Sequence, residues 1–559
     1  MARAWFVLAI ATAPCFGRAA EPVRAPGGMV AAQNATAAAV GAQILRDGGS
    51  AVDAAVATAF ALAVTHPIAG NIGGGGFLLH RRSSGETTAY DFRETAPAGS
   101  SPTMFLTGGR YDRVRHHQGH VAVGVPGTVA GLHLAWKEQG RLPWKRLVEP
   151  AAALARDGFV VTDGLARSLE DALPSMSPYP ASVAQFSKNG VPYRAGERLR
   201  QRELARTLQR IARDGPAGFY EGETAALIDE EMRAGGGLVR RDDLAAYRAI
   251  RREPVRGTYR GYEVTGMPPP SSGGVGLVQM LNILEGYDLA ARGAGSASHV
   301  HLVAEAMRRA YADRARYLGD PDANPDQPVA RLVSKEYAAE LRRGIREDRA
   351  STSTPDRFEW PPESGETTHV SVVDRERNAV ALTYTLEGNY GSKIVVPGAG
   401  FLLNNEMGDF GAGPGLTDES GLIGTDPNLA APGKRMLSSM APTILSKDGA
   451  LFMVLGSPGG RKIINAVLLA TLNILDFGMN VQQAIDYPRF HHQWLPDVIV
   501  HERWGLSPDT IDKLAARGHR LSDAWPASSP TAVQAVVVRD GILEGGYDRR
   551  TPDAGAIGY

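Results

Sequence analysis

Cysteine is almost missing from this sequence: one residue, Cys15, in 559. It lies within the first twenty residues, so a chain trimmed there carries none. Disulfides, thiol nucleophiles and Cys-type zinc sites then fall away together. Net charge is missing too. Sixty basic residues balance 60 acidic ones, which directs the chain to neither nucleic acid nor an anionic membrane surface. Long apolar runs are also lacking. Ala4 to Phe16 is too short to span a bilayer, and no later run is longer, so no membrane span is expected. His116-His117-Gln118-Gly119-His120 has no carboxylate at helical ligand spacing, and His-Glu-x-x-His is absent from the chain. The cluster reads as a polar loop, with no metal and no cofactor expected. The glycine run Asn71 to Phe77 lacks the Lys-Ser/Thr of a phosphate loop and the Gly-x-Gly-x-x-Gly of a dinucleotide fold. It reads as backbone crossing backbone at close range.

What is present is an ordinary globular composition, 43% hydrophobic and 21% charged. Ala2-Arg3 gives a basic start, the apolar run follows, and Gly17-Arg18-Ala19 supplies small residues for cleavage after Ala19. Residues 1–19 therefore read as a secretory signal peptide, and an exported protein, periplasmic or secreted, is expected. Thr12 and Pro14 do not suit a lipoprotein site at Cys15. Asn34 to Arg46 and Ser50 to Val64 have helical spacing and read as a buried pair. Gly76 to Arg81 and Thr87 to Phe92 read as paired strands, with Arg93 directly after. Helical patterns dominate from Leu142 to Tyr247. Pro268 to Gly274 is a stiff, mainly structural turn before a helix over Val275 to Leu284, and helices follow over Ala297 to Leu318 and Lys335 to Arg349. Ser351 to Glu366 has the composition of an exposed linker.

After the linker the period changes to two. Thr367 to Val373, a polar turn, and Ala379 to Leu386 alternate as an antiparallel hairpin. Strands are expected over Gly400 to Asn404, Thr443 to Leu445, Leu451 to Leu455, Ala532 to Arg539 and Ile542 to Gly545. Helices are expected over Lys462 to Leu475, Val481 to Tyr487 and Pro508 to Arg517.

Thr367-Thr368-His369, Asn404-Asn405-Glu406-Met407-Gly408-Asp409-Phe410, Lys434 to Thr443 and Gly456-Ser457-Pro458-Gly459-Gly460-Arg461 occur in series. With Asp91-Phe92-Arg93-Glu94 near the other end, they resemble the motifs of the γ-glutamyltransferases, which are N-terminal-nucleophile (Ntn) hydrolases. Periodicity permits an α+β, four-layer αββα sandwich, and the resemblance selects it. The resemblance implies self-cleavage between Glu366 and Thr367, giving a large subunit, 20–366, and a small catalytic one, 367–559, held as a heterodimer. The chemical reason is that a threonine hydroxyl needs a base. A free α-amine, ordinarily near pKa 7.7–8.0, supplies one only at a chain terminus.

The resemblance further implies that Thr385 orients Thr367 and that the backbone N–H groups of Gly459 and Gly460 form an oxyanion hole. Arg93, Ser438 and Ser439 would hold the α-carboxylate of a γ-glutamyl donor, and Asp409 and Glu406 its α-ammonium. Glu387 stands where some members have Asn, and should still face the ammonium. Gly411 to Pro432 has the length of a lid loop but lacks a gating Tyr, with Ser420 near that point. Implied substrates are glutathione and other γ-glutamyl compounds, with water, amino acids or peptides as acceptors. Two other readings compete: an Ntn acylase of the same fold acting on glutaryl-type amides, and an exported binding protein that never matures. Leu455-Gly456-Ser457-Pro458-Gly459 lacks the first Gly of a serine nucleophile elbow.

Overall fold

The computed structural model describes residues 20–354, 366–416, 425–525 and 531–559. The signal segment 1–19, most of the linker (355–365) and the middle of the lid segment (417–424), with Ser420, lie outside the described residues.

Two seven-stranded sheets form the centre. One runs in the order Ile250–Arg252, Thr87–Phe92, Gly75–Arg81, Ala379–Glu387, Glu366–Val373, Met29–Ala32 and Gly555–Gly558. The other runs Val23–Ala25, Ile542–Tyr547, Gln534–Arg539, Ala450–Gly456, Thr443–Lys447, Tyr262–Gly266 and Val255–Tyr259. Strand alternation builds the layers, because successive side chains point to opposite faces. Val30, Leu78, Tyr90, Val370, Val372, Val380 and Leu382 face outward, onto the helices Ala35–Arg46 and Ala51–Thr65. Their neighbours Met29, Ala31, Phe77, Leu79, Val373, Ala379 and Ala381 face inward, onto Leu455, Ala535 and Val537 of the second sheet. The helices Gly273–Leu284, Ala297–Tyr317 and Lys462–Leu475 cover the far side. The result is helix, sheet, sheet, helix, the expected αββα sandwich.

Local rules place the first helices. Asn34 caps one by accepting from the Ala37 N–H, and Ser50 and Asp53 form a reciprocal capping box on the next. Three expectations need correction. Gly400 to Asn404 is not a strand; only Leu402 makes a bridge there, to Val395, because the segment serves as a crossing under the glycine run. The helix from Lys335 ends at Arg343, where Gly344 follows. The histidine cluster is not a plain polar loop: Arg113–His117 is a short helix, Asp112 caps it, and His116 is fully buried against Phe105.

The start of the linker is anchored at Ser351 and Ser353, while Thr352 and Thr354 are exposed. Glu305 accepts from the N–H and hydroxyl of Ser351, and Asp497 accepts from the Ser353 N–H at 2.8 Å. Arg308 reaches the Ser353 hydroxyl. His301, Glu305 and His519 cluster beside this clamp. Arg308 and Arg309 pair with Glu305 and hold its carboxyl down to about 2, against the cost of burial, so the group serves as an anchor for 351–353.

The glycine run passes beneath the hairpin at close range. Asn71 Nδ2 donates to the Thr385 carbonyl and Asn71 Oδ1 accepts from the Gly74 N–H, both at 2.9 Å. A Cβ on Gly74 would fall 1.9 Å from the Thr385 carbonyl oxygen. Gly74→Ala is therefore expected to destabilise the fold by about 2 kcal/mol, the usual cost of overpacking, read as a lower midpoint in chemical denaturation. An unchanged midpoint would refute the close crossing.

Candidate active site

Thr367 is the second residue of the strand Glu366–Val373, opposite Thr385 in the ladder. Glu366 is paired with Glu387, so Leu386 is an extra residue on the return strand and the register shifts between Glu366 and Thr367. Bulges of this kind re-aim side chains beside functional sites. Both threonine side chains point between the sheets, and their hydroxyls lie 3.4 Å apart. Both residues are buried, at 4% and 2% exposure. Glu387 follows in a left-handed conformation, φ 76°, and its N–H donates to the Thr385 hydroxyl at 2.9 Å.

Further along the same face the column stays polar. His369 bonds Thr383 at 2.7 Å and Ser371 at 3.0 Å. Burial lowers its pKa to about 3, so the ring is neutral. A Cβ on Gly456 of the opposite sheet would meet this ring at 2.3 Å, which makes the glycine a condition of the column.

One pocket gathers Thr367, Thr385, Gly460, Arg93, Glu387, Glu406, Asp409, Ser438 and Ser439, with Met440 and Ile463 as apolar wall. Gly459 stands just behind; a Cβ there would fall 2.7 Å from Thr531 Cγ2. Gly459 and Gly460 both have left-handed backbones, φ 127° and 56°, which glycine adopts without a Cβ penalty. They lead into the N-terminus of the Lys462–Leu475 helix, where the helix dipole favours negative charge. Ser457 is buried elsewhere, bonded to the Pro458 carbonyl and the Ala532 N–H.

Arg93 is the electrostatic hub. It is fully buried, not the solvated strand end its position suggests. Its guanidinium pairs with Glu406 and Asp409 and lies 3.7 Å from Glu94. It also donates to the Met436 and Leu437 carbonyls, both at 3.3 Å. Burial works against the cation, and the three carboxylates outweigh it, so its pKa is raised. For two of the acids the balance falls the other way, with burial outweighing the attraction of the cation. Burial pushes Glu406 up despite Arg93, aided by Glu94 and Glu387. Glu94, which has no hydrogen-bond partner on either carboxylate oxygen among the described residues, is pushed up to about 8 by burial, against the pull of Arg93.

Ser438 and Ser439 sit on a turn fixed from the other side. Ser272 donates from its hydroxyl to the Ser438 carbonyl at 2.6 Å. Arg314 bonds the hydroxyls of Ser272 (2.6 Å) and Ser439 (2.9 Å). Sequence reasoning missed Arg314, one arginine among several on an amphipathic helix, and treated Ser272 as structural. It also gave no role to Glu94, although the acid adjoins Arg93 in the motif, or to Asn405, which bonds Glu387.

The Glu94 shift has a sign that can be measured. Its folded pKa is raised, so between the ordinary carboxyl value and about 8 the folded state binds a proton that the unfolded state has released. Stability then falls as pH rises through that window, by up to about 1.4 kcal/mol per pH unit. Glu94→Gln is expected to flatten the decline between pH 5 and 8, measured by denaturation at each pH. A variant that declines as steeply as the parent contradicts the assignment.

A family model described as Gamma-glutamyltranspeptidase matches residues 37–558. The chain is 48% identical over 544 residues to the Glutathione hydrolase proenzyme of Escherichia coli (strain K12), covering 96% of this chain and 93% of that protein. Among solved structures, the cephalosporin acylase from Bacillus halodurans superposes with a TM-score of 0.85 at 27% identity, covering 99% of each chain. The Helicobacter pylori gamma-Glutamyltranspeptidase gives a TM-score of 0.56 at 43% identity, covering 57% of this chain and 91% of that one. By the span of these matches, the αββα fold and the threonine-led hairpin, this chain belongs to the γ-glutamyltranspeptidase family of Ntn-hydrolases.

Proposed function

We propose that the chain is an exported precursor that cuts itself between Glu366 and Thr367 and then acts as a γ-glutamyltransferase and glutathione hydrolase. In the first step the Thr367 hydroxyl attacks the Glu366 carbonyl carbon. The C–N bond breaks, its nitrogen takes up the hydroxyl proton, and an ester forms. Water opens the ester, leaving the Glu366 carboxylate and a free Thr367 amine. The products are a large part ending at Glu366 and a small one of 559 − 366 = 193 residues. Residues 1–19 would be removed on export.

In turnover the Thr367 amine takes the hydroxyl proton as the oxygen attacks the γ-carbonyl of the donor. The oxyanion forms beside Gly459 and Gly460, where two N–H groups at a helix start stabilise it. One such donor is worth about 3 kcal/mol. The departing amine takes the proton, and a γ-glutamyl ester remains on Thr367. Water gives glutamate; an amino acid or peptide amine gives a new γ-glutamyl amide. Thr385, between Thr367 and the Glu387 N–H, orients the nucleophile.

The observation that carries this reading is one pocket in which Thr367 faces both signs of charge. A zwitterionic donor end enters the ion cluster with its carboxylate toward Arg93, Ser438 and Ser439. Its ammonium goes toward Asp409, Glu406 and Glu387. The glutaryl amide reading is favoured by the likeness to the cephalosporin acylase, but a glutaryl group has no ammonium. It would leave three acids in this pocket without a ligand charge, which opposes binding.

The mature protein is expected to run as two bands, the smaller one starting at Thr367 by N-terminal sequencing. Thr367→Ala should stay whole and inactive. Efficient cutting in that variant, or an active single band, sinks the mechanism. The enzyme should turn over γ-glutamyl-p-nitroanilide and discriminate against glutaryl-p-nitroanilide. Asp409→Ala should raise KM for the γ-glutamyl donor by more than about tenfold, as loss of a buried charge partner does. Equal turnover of both anilides would instead favour the acylase reading.

A further inference from the structure

His117 closes the Arg113–His117 helix, and its Nδ1 lies 3.4 Å from Glu387 Oε1. The two side chains are 10% and 1% exposed. The backbone carbonyl of His117 accepts from Asn405 Nδ2 at 3.1 Å, and the same amide donates to Glu387 Oε2. A Cβ on Gly408 would fall 2.4 Å from His117 Nδ1 and 2.9 Å from Glu387 Oε1. Ring and carboxylate thus rest together on bare backbone between Glu406 and Asp409. Glu387 lines the Thr367 pocket. His117 lines a neighbouring cleft with Arg113, Tyr179 and Lys393. The imidazole therefore has solvent on one side and, on the other, a carboxylate that faces the nucleophile.

Resting on the γ-glutamyl reading above, we propose that His117 is a positioning residue that sets, through Glu387, how strongly the pocket holds the donor ammonium, and so makes donor affinity pH-dependent. Imidazole is the ordinary side chain whose charge changes between pH 5 and 8. Protonated, His117 pairs with Glu387 and offsets its charge. Neutral, it leaves the full negative charge to the ammonium. The surrounding groups leave this pairing intact. His116, whose ring is tilted 44° against that of His117 with centroids 4.3 Å apart, is kept neutral by burial. Arg113 lies on the same helix, four residues away, and burial raises the pKa of Tyr179 and of Tyr111, which faces Glu387, so both are neutral in this range. Glu406 and Asp409, either side of Gly408, are engaged by Arg93. Lys393 donates to the carbonyls of Asn389 and Gly391.

The test is the pH dependence of KM and kcat for γ-glutamyl-p-nitroanilide between pH 5.5 and 7.5, in the mature enzyme and in His117→Gln and Glu387→Gln. In the parent, KM is expected to fall as pH rises, by about tenfold for a charge compensated at this range. Both variants should lose that step while the kcat profile keeps its shape. A parent without the step, or a step that survives in His117→Gln, overturns the inference alone. So does a His117→Gln variant in which KM and kcat shift together at every pH, since that is a packing defect. A parent that turns over no γ-glutamyl anilide overturns the γ-glutamyl reading itself, and this inference with it.

Discussion

The site depends on one buried cation. Arg93 follows the last residue of Thr87–Phe92, one strand in from the edge of its sheet, and three carboxylates and two carbonyls converge on it. Those partners come from three separate stretches: Glu94 beside it, Glu406 and Asp409 on a short helical turn, and Met436 and Leu437 on the approach to the serine pair. Without the guanidinium, three acids would face each other in a dry space, and removing one partner of a buried ion cluster costs about 3–5 kcal/mol. The same cation would serve a ligand carboxylate. The pocket thus holds itself together with the kind of contacts that the proposed zwitterionic donor would need, which would be a form of preorganisation.

Around that cluster the fold is arranged to bring hydroxyls, not hydrocarbon, to one end of the space between the sheets. Thr367, His369 and Ser371 share an inward face with Thr385 and Thr383, while Val373, Ala379 and Ala381 continue the same face as ordinary core. Three glycines make room for the arrangement. Gly74 lets the loop pass under Thr385, Gly456 admits the His369 ring, and Gly408 seats His117 against Glu387.

Much of this was legible in the residues, and the reason is geometric. The hairpin repeats with period two, and Gly75–Arg81 on one side of it was readable as a strand, whereas Met29–Ala32 on the other, a short run buried on both faces, was not. The glycine run was readable as a close crossing because it lacked every phosphate-binding companion. Apart from Thr367-Thr368-His369 and Asp91-Phe92, which are strand residues, the motifs that suggested the pocket lie mostly in loops, whose order in the chain survives even where no period exists. The illegible part is contact between elements remote in sequence. Arg314 holds Ser439 from 125 residues away. Glu387 and His117 are 270 residues apart, and nothing local to either announces the other. The burial of Arg93 was hidden for the same reason, since a strand-end arginine looks solvated until its acids arrive.

The two sheets have a consequence for the assembled state. Strands from before and after residue 366 alternate within both ladders: Glu366–Val373 and Ala379–Glu387 lie between Met29–Ala32 and Gly75–Arg81, and Thr443–Lys447 adjoins Tyr262–Gly266. A break ahead of Thr367 would sever one covalent link and leave these shared ladders intact. Either half alone would present unpaired edges, so separation and unfolding become a single event, and the stability of the pair becomes inseparable from the concentration of its halves.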